Sequence, residues 1–81
     1  MQFKIFKIER EAGNPVYIET EVTYDNERDA VMAAVNKTAG AAAEYKKKFS
    51  FDVVNYDGMT VARLIDAKSQ IITSYAVKTS N

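Results

Sequence analysis

The densest set of oxygen ligands in this chain is Asp25-Asn26-Glu27-Arg28-Asp29, which offers side-chain oxygens at alternate positions. Alternate oxygen ligands open the EF-hand calcium loop, whose sixth position is glycine and whose twelfth is glutamate. The corresponding residues here are Ala30 and Asn36, so the calcium pattern fails. Short polar side chains also cap helices, because their oxygens accept a bond from an unpaired backbone N–H. The segment therefore predicts a helix cap and no metal site.

Acid–base catalysis would most simply use Glu19 and Glu21, two residues apart on one predicted strand. Catalytic carboxyls usually lie in an apolar setting, whereas these two lie on the charged side of an alternating strand. The chain also has no histidine and no cysteine, which removes the commonest general base and the thiolate nucleophile. Phosphate-binding glycine motifs are absent as well. We therefore expect no enzymatic activity, no metal and no cofactor.

The run Lys46-Lys47-Lys48, with Tyr45, Phe49 and Phe51 nearby, is the candidate nucleic-acid site. Lysines neutralise phosphates and aromatic rings stack on bases. Three consecutive helical positions point in different directions, however, and Tyr45 and Phe49 lie on a predicted buried stripe. Eleven basic residues balance eleven acidic ones, so the chain lacks the positive excess on which non-specific nucleic-acid binding depends.

The elements that position these residues predict a single α+β domain, residues 1–81, in the order ββαβββ. Residues 2–9 and 16–24 read as a hairpin of two strands. The apolar residues of the first strand change phase near Ile5-Phe6, which indicates a bulge or a strand covered on both faces. Residues 50–56, 59–65 and 70–78 are the last three strands. We expect an antiparallel sheet of about five strands with one long helix packed on one face.

The predicted helix runs for about 22 residues at 1.5 Å per residue, far enough to cross a sheet diagonally. It continues through Gly40 and ends at Lys46-Lys47-Lys48, where positive charge suits the negative end of the macrodipole. Its buried stripe is indicated by apolar or small residues spaced three and four apart. These are Val31, Val35, Thr38, Ala42, Tyr45 and Phe49.

Asp57-Gly58 is a strong signal for a two-residue hairpin, and it fixes the pairing of the strands on either side. Tyr56 then faces Met59, and Asp52 faces Arg63 as a cross-strand ion pair. One sheet face collects Phe51, Val53, Ala62, Leu64, Ile71, Thr73, Tyr75 and Val77, and we expect the helix there. The other face collects the candidate interface residues Val54, Tyr56, Met59, Val61 and Ile72.

A single helix covers only one face, so the second face either meets another protein or is covered by curling of the sheet. Tyr56 and Met59, beside the turn, are expected to be its most accessible members. The sequence favours a non-enzymatic protein-binding module, a small regulator or inhibitor, of the phage type for example, that occupies a surface of a larger complex. Its partner is another protein or a second copy of itself.

The alternative function is a small nucleic-acid-binding protein that uses Lys46, Lys47 and Lys48 with the nearby aromatic rings. No stretch of the sequence is apolar and long enough to span a bilayer. A domain of this size without disulfides is more typical of a cytoplasmic than of a secreted protein.

Overall fold

The protein is described by a computed structural model that covers residues 2–11 and 13–79, without the side chains of Arg10, Glu11 and Glu21. Within that part of the chain there is one helix and one antiparallel sheet of five strands, with spatial order β2-β1-β5-β4-β3. The elements are β1 Phe3–Glu11, β2 Asn14–Tyr24, α1 Glu27–Glu44, β3 Phe49–Tyr56, β4 Met59–Asp66 and β5 Ile71–Thr79. The predicted α+β class and ββαβββ order are confirmed. The helix of this described part is too short or too polar to cross a membrane.

α1 begins directly after Asn26, whose backbone is extended. The Oδ1 atom of Asn26 accepts a hydrogen bond of 2.9 Å from the N–H of Asp29. The amide group of Asn26 also donates to the Asp29 carboxylate at 3.1 Å. Glu27 and Asp29 place negative charge in the first turn, at the positive end of the macrodipole. The predicted helix cap at this segment is therefore confirmed.

The C-terminal end of α1 differs from the prediction, because the helix stops at Glu44 after 18 residues. The backbone of Tyr45 is extended, and its N–H reaches the carbonyl of Ala42 at 3.1 Å. Residues 46–48 form a non-helical link, and Phe49 opens β3. The prediction that Tyr45 and Phe49 lie on the helix stripe was wrong. Phe49, Phe51 and Val53 also alternate with period two, and strand pairing decided between the two readings.

The buried side of α1 is centred on Ala30, Ala34 and Thr38, which recur every four residues. The Thr38 hydroxyl donates to the Ala34 carbonyl at 2.9 Å, so its burial leaves no unpaired polar group. Val31 and Val35 are only partly buried, at the flank of this contact. The predicted stripe was therefore rotated towards the valines. Alanine methyls let the helix backbone approach the sheet closely, and the larger valines then fill the margin.

α1 packs over β5, β4 and β1. Beneath it, Ile5, Ala62 and Val77 form the main core with the helix alanines. This confirms that the helix covers the face bearing Ala62 and Val77. Because α1 lies over these strands, the helix-side residues Phe51 and Val53 of β3 remain substantially exposed.

The pairing of β1 with β2 shifts between Lys4 and Phe6, with the extra residues in β2. Thr20 Oγ1 donates to the Ile5 carbonyl at 3.0 Å within this irregular stretch. β1 nevertheless pairs with β5 without a break. Its two faces are both used, since Ile5 lies in the core under α1 and Ile8 packs on the opposite side. Of the two alternatives predicted for β1, the double coverage is therefore confirmed, whereas the predicted bulge was wrong for β1 because the extra residues belong to β2.

A charge at Ala34 tests the position of the helix contact. Ala34→Asp buries an unpaired carboxylate between helix and sheet, at a cost of several kcal/mol. Against a total stability of ~5–10 kcal/mol for a domain of this size, the variant should lose a large part of its stability and unfold at a much lower urea concentration than the parent. Met32→Asp is the matched control, since Met32 is 54% exposed on the same helix. Urea titration followed by circular dichroism measures both. Equal midpoints for the two variants would contradict the orientation of α1.

Candidate protein-interaction face

The β3–β4 hairpin fixes which side chains point away from α1. Asp57 and Gly58 have φ values of 52° and 77°, the left-handed pair that a two-residue type I′ turn requires. The turn is flanked by Tyr56 opposite Met59, and the pairs Val54–Val61 and Asp52–Arg63 follow in unbroken register, as predicted. Ala62 lies under α1, so its strand neighbours face the other way. Val54, Tyr56, Met59, Val61 and Ile72 mark this second side, hereafter the open face.

The centre of the open face is buried by the sheet itself. Met59 is 6% exposed, and it clusters with Val61 and Ala76. The prediction that Met59 is among the most accessible residues was therefore wrong, whereas Tyr56 is 56% exposed. β4 has a neighbouring strand on both sides, which shield its side chains, while Tyr56 lies on the edge strand β3.

A groove of about 760 Å³ runs over the open face between the ends of the curled sheet. Val54 and Val61 contribute to its lining. Val61 belongs to the buried cluster under the groove, and Val54 packs against that cluster. Four further lining residues belong to the exposed large apolar residues of the described chain. These are Tyr17, Tyr56, Ile71 and Ile72.

A bulge in β5 supplies two adjacent groove residues. β4 and β5 pair as Leu64 with Thr73 and then Ile65 with Ile71, which leaves Ile72 as the additional residue. Ile71 and Ile72 therefore both line the groove. Strict alternation had assigned Ile71 to the helix side, and that assignment is wrong because a bulge interrupts the alternation. Neighbouring isoleucines at the start of a strand carry no sequence signal for such a bulge.

The charged side chains that line the groove are already paired with one another or with a neighbour. Arg63 binds Asp52 through two hydrogen bonds, Nε–Oδ1 at 2.8 Å and Nη2–Oδ2 at 2.6 Å. The hydrogen bond from Arg63 holds the pKa of Asp52 below its usual value, and Asp52 in turn raises the pKa of Arg63. Lys7 lies 3.2 Å from the Glu9 carboxylate. The groove thus offers polar and apolar surface in about equal parts, and the charges of Lys7 and Arg63 are neutralised.

The candidate nucleic-acid residues lie in the link between α1 and β3. Lys46, Lys47 and Lys48 are all exposed. The rings of Tyr45 and Phe49 meet edge to face with centroids 6.3 Å apart. Phe49 is exposed at the surface rather than buried under the helix, so this segment offers more aromatic surface than the sequence predicted.

Of the two candidate acid–base carboxylates, Glu19 has a structural partner. Glu19 forms an ion pair with Lys4 across the β1–β2 hairpin, and the side chain of Glu21 lies outside the described residues. In residues 2–11 and 13–79 no three acidic, histidine or cysteine side chains converge as metal ligands. Comparison of the chain with protein-family models, curated protein sequences and solved structures found no match. Its function is therefore inferred from the contacts and charges of its own residues.

The Asp52–Arg63 pair makes a pH-dependent contribution to stability. A carboxyl whose folded-state pKa is lowered stabilises the fold above the ordinary Asp value of about 4, and this contribution is lost as pH falls through the lowered pKa. The two side chains are partly exposed, so we expect only ~0.2–1 kcal/mol.

Arg63→Gln should lower the free energy of unfolding by that amount at neutral pH and by much less near about pH 2. An NMR titration should show the pKa of Asp52 rising towards the ordinary value in this variant. Lys7→Gln, which removes a cation at the other side of the groove, is the control and should leave the Asp52 titration unchanged. An unchanged Asp52 pKa in Arg63→Gln would mean that the ion pair does not form in solution.

Proposed function

We propose that this chain is a non-enzymatic protein-binding module that seats an apolar segment of a partner protein in the groove of its open face. It acts as a small regulator or inhibitor by occupying that surface of the partner. The observation that carries this proposal is the exposure of Tyr56, Ile71 and Ile72 around a floor that includes Val54 and Val61. Contiguous exposed apolar surface of this kind usually marks an interaction site.

The chemistry of the groove selects for an apolar partner segment. Arg63 and Lys7 have their own carboxylates, so a charged ligand group would have to break an existing ion pair to be bound. Burying apolar surface contributes about 25 cal/mol per Å², which favours leucine, methionine or aromatic side chains on the partner. An amphipathic helix or an extended apolar segment presents such side chains in a row.

A partner protein fits the groove better than a small polar metabolite does. Small-molecule sites combine an apolar wall with a few convergent polar groups and perturbed pKa values. Here the shifted pKa values belong to Asp52 and Arg63, and each shift arises mainly from the hydrogen bond to the other. These polar groups therefore satisfy one another instead of a ligand.

The test compares a groove variant with a surface control. Tyr56→Ser combined with Ile72→Lys removes two exposed groove side chains, whereas Met32→Lys changes an equally accessible apolar residue on α1. Proteins captured from lysate by the parent are identified, purified and titrated by calorimetry against each variant. Loss of one anchor commonly costs ~2 kcal/mol, so the groove variant should bind at least about 30-fold more weakly.

Met32→Lys should bind the same purified partner with the affinity of the parent. A second measurement needs no variant. The apolar dye 8-anilinonaphthalene-1-sulfonate should bind to the parent protein, and the purified partner should displace it. A partner that binds the groove variant and the parent equally well would place the binding site elsewhere. If small apolar compounds bind to the groove and no captured protein displaces the dye, the groove is instead a site for a small ligand.

A second candidate function, single-stranded nucleic-acid binding, is favoured by the exposure of Phe49 and Phe51 beside the Lys46–Lys48 link. Three lysine–phosphate contacts predict a log–log salt slope of about −2 for a short oligothymidine. Replacing Lys46, Lys47 and Lys48 together by glutamine should abolish that slope, and the groove variant should not change it. Fluorescence anisotropy measures both, and no binding at low salt would exclude this function.

A further inference from the structure

The two edges of the sheet differ in their protection against pairing with another strand. The outer strand β2 contains Pro15, and its pairing with β1 is irregular near Thr20. The outer strand β3 pairs with β4 in unbroken register over its whole length, and it contains no proline, glycine or lysine. Its one charged residue, Asp52, is held by Arg63. A regular edge strand without such protection is a template for a further strand.

The turn determines which backbone groups of β3 are free. In a two-residue hairpin the residues that flank the turn, Tyr56 and Met59, exchange backbone hydrogen bonds, and every second residue repeats that arrangement. The residues between them direct their N–H and C=O groups away from β4, to the outside of the sheet. In β3 these outward residues are Phe49, Phe51, Val53 and Asn55.

Apolar side chains lie beside these free backbone groups on the helix side of the sheet. Phe49, Phe51 and Val53 share that side and are each at least 40% exposed, because α1 packs over β5, β4 and β1. A strand added to this edge would satisfy the backbone groups and cover the three side chains together. The edge therefore combines both features of a strand-pairing surface.

We propose that the β3 edge pairs antiparallel with β3 of a second copy of this chain, about a two-fold axis at Val53. The two sheets then form one continuous sheet across the dimer. Three hydrogen-bonded residue pairs, each with two bonds, give about six new backbone hydrogen bonds. This dimer joins backbone groups of the β3 edge, whereas the proposed partner binds side chains of the open face, so the dimer does not depend on the proposed function.

Charge decides the register of the pair and favours a second copy as the occupant. An axis at Asp52 would place two carboxylates directly opposite one another, which is destabilising. With the axis at Val53, Asp52 faces Val54 of the second copy, and Lys48 comes beside Asp57 of that copy. The chain carries no net charge, so two copies do not repel one another overall. The register with its axis at Val53 thus makes β3 complementary to itself without opposing like charges.

The same symmetry covers the exposed residues on the helix side. A two-fold axis perpendicular to the sheet keeps both α1 helices on one side and both open faces on the other. Phe51 and Val53 of the two copies then fill the space between the helices. The grooves stay open, side by side across the β3–β3 seam.

Sedimentation tests the dimer with two matched glutamate variants. Val53 and Ile18 are both 44% exposed, and each lies on an edge strand, β3 and β2 respectively. The parent should have a sedimentation-derived mass of twice 9.1 kDa, and the Ile18→Glu variant should have the same mass. Val53→Glu places two carboxylates opposite one another at the axis, so this variant should have the monomer mass of 9.1 kDa. A monomeric parent at millimolar concentration, or a folded Val53→Glu that stays dimeric, would overturn the proposal.

Hydrogen exchange of the parent protein gives an answer even where Val53→Glu fails to fold. The outward amides of Val53 and Asn55 should be protected at high protein concentration and should exchange rapidly after dilution below the dissociation constant. The inward amides of Val54 and Tyr56, which bond to β4, should stay protected at both concentrations. Rapid exchange of the outward amides at every concentration at which the protein sediments as a dimer would show that β3 is not the interface.

Discussion

A helix with its side chains is about 10–12 Å wide, and neighbouring strands of a sheet lie about 4.8 Å apart. α1 therefore covers only part of a five-stranded sheet, and it packs over β5, β4 and β1. Ala30 and Ala34 allow the close approach that seals the core over Ile5 and Ala62. The limited width of one helix leaves two apolar surfaces uncovered, the helix side of β3 and the open face. The rest of the structure accommodates these surfaces.

The sheet partly covers its open face by bending. Bulges increase strand twist and bend, and the register shifts lie in the β1–β2 and β4–β5 pairs that border the groove. The bending buries Met59 and Val61 without a second layer, and it leaves Tyr56 and Ile72 exposed around a concave surface. The remaining apolar surface is thereby divided into a groove suited to a partner segment and an edge suited to another strand.

Local signals in the sequence determined the register of the β3–β4 hairpin. Asp57-Gly58 favours the left-handed backbone of a tight turn, and that turn fixed the Tyr56–Met59 pair and the Asp52–Arg63 ion pair. Asp25 and Asn26 likewise predicted the start of α1, and the structure shows Asn26 as the cap, whose oxygen accepts from an N–H only three residues away. The ββαβββ order and the sheet face under the helix followed from the same local patterns. Each of these features depends on interactions within a few residues or across one turn.

Tertiary contacts decided the features in which two local patterns compete or a regular pattern is interrupted. Phe49 fits both a helix stripe and a strand, and its pairing with Asp66 of β4 placed it in β3. The bulge that directs Ile71 into the groove arises from the β4–β5 pairing, and no residue pattern in the sequence predicts it. The sequence by itself thus determined the N-terminal cap of α1, the Asp57-Gly58 turn, the β3–β4 pairing and the sheet face under the helix. The rotation of α1, the burial of Met59 and the shape of the groove depend on how the sheet bends and packs, because these are sums of weak contacts between residues distant in the chain.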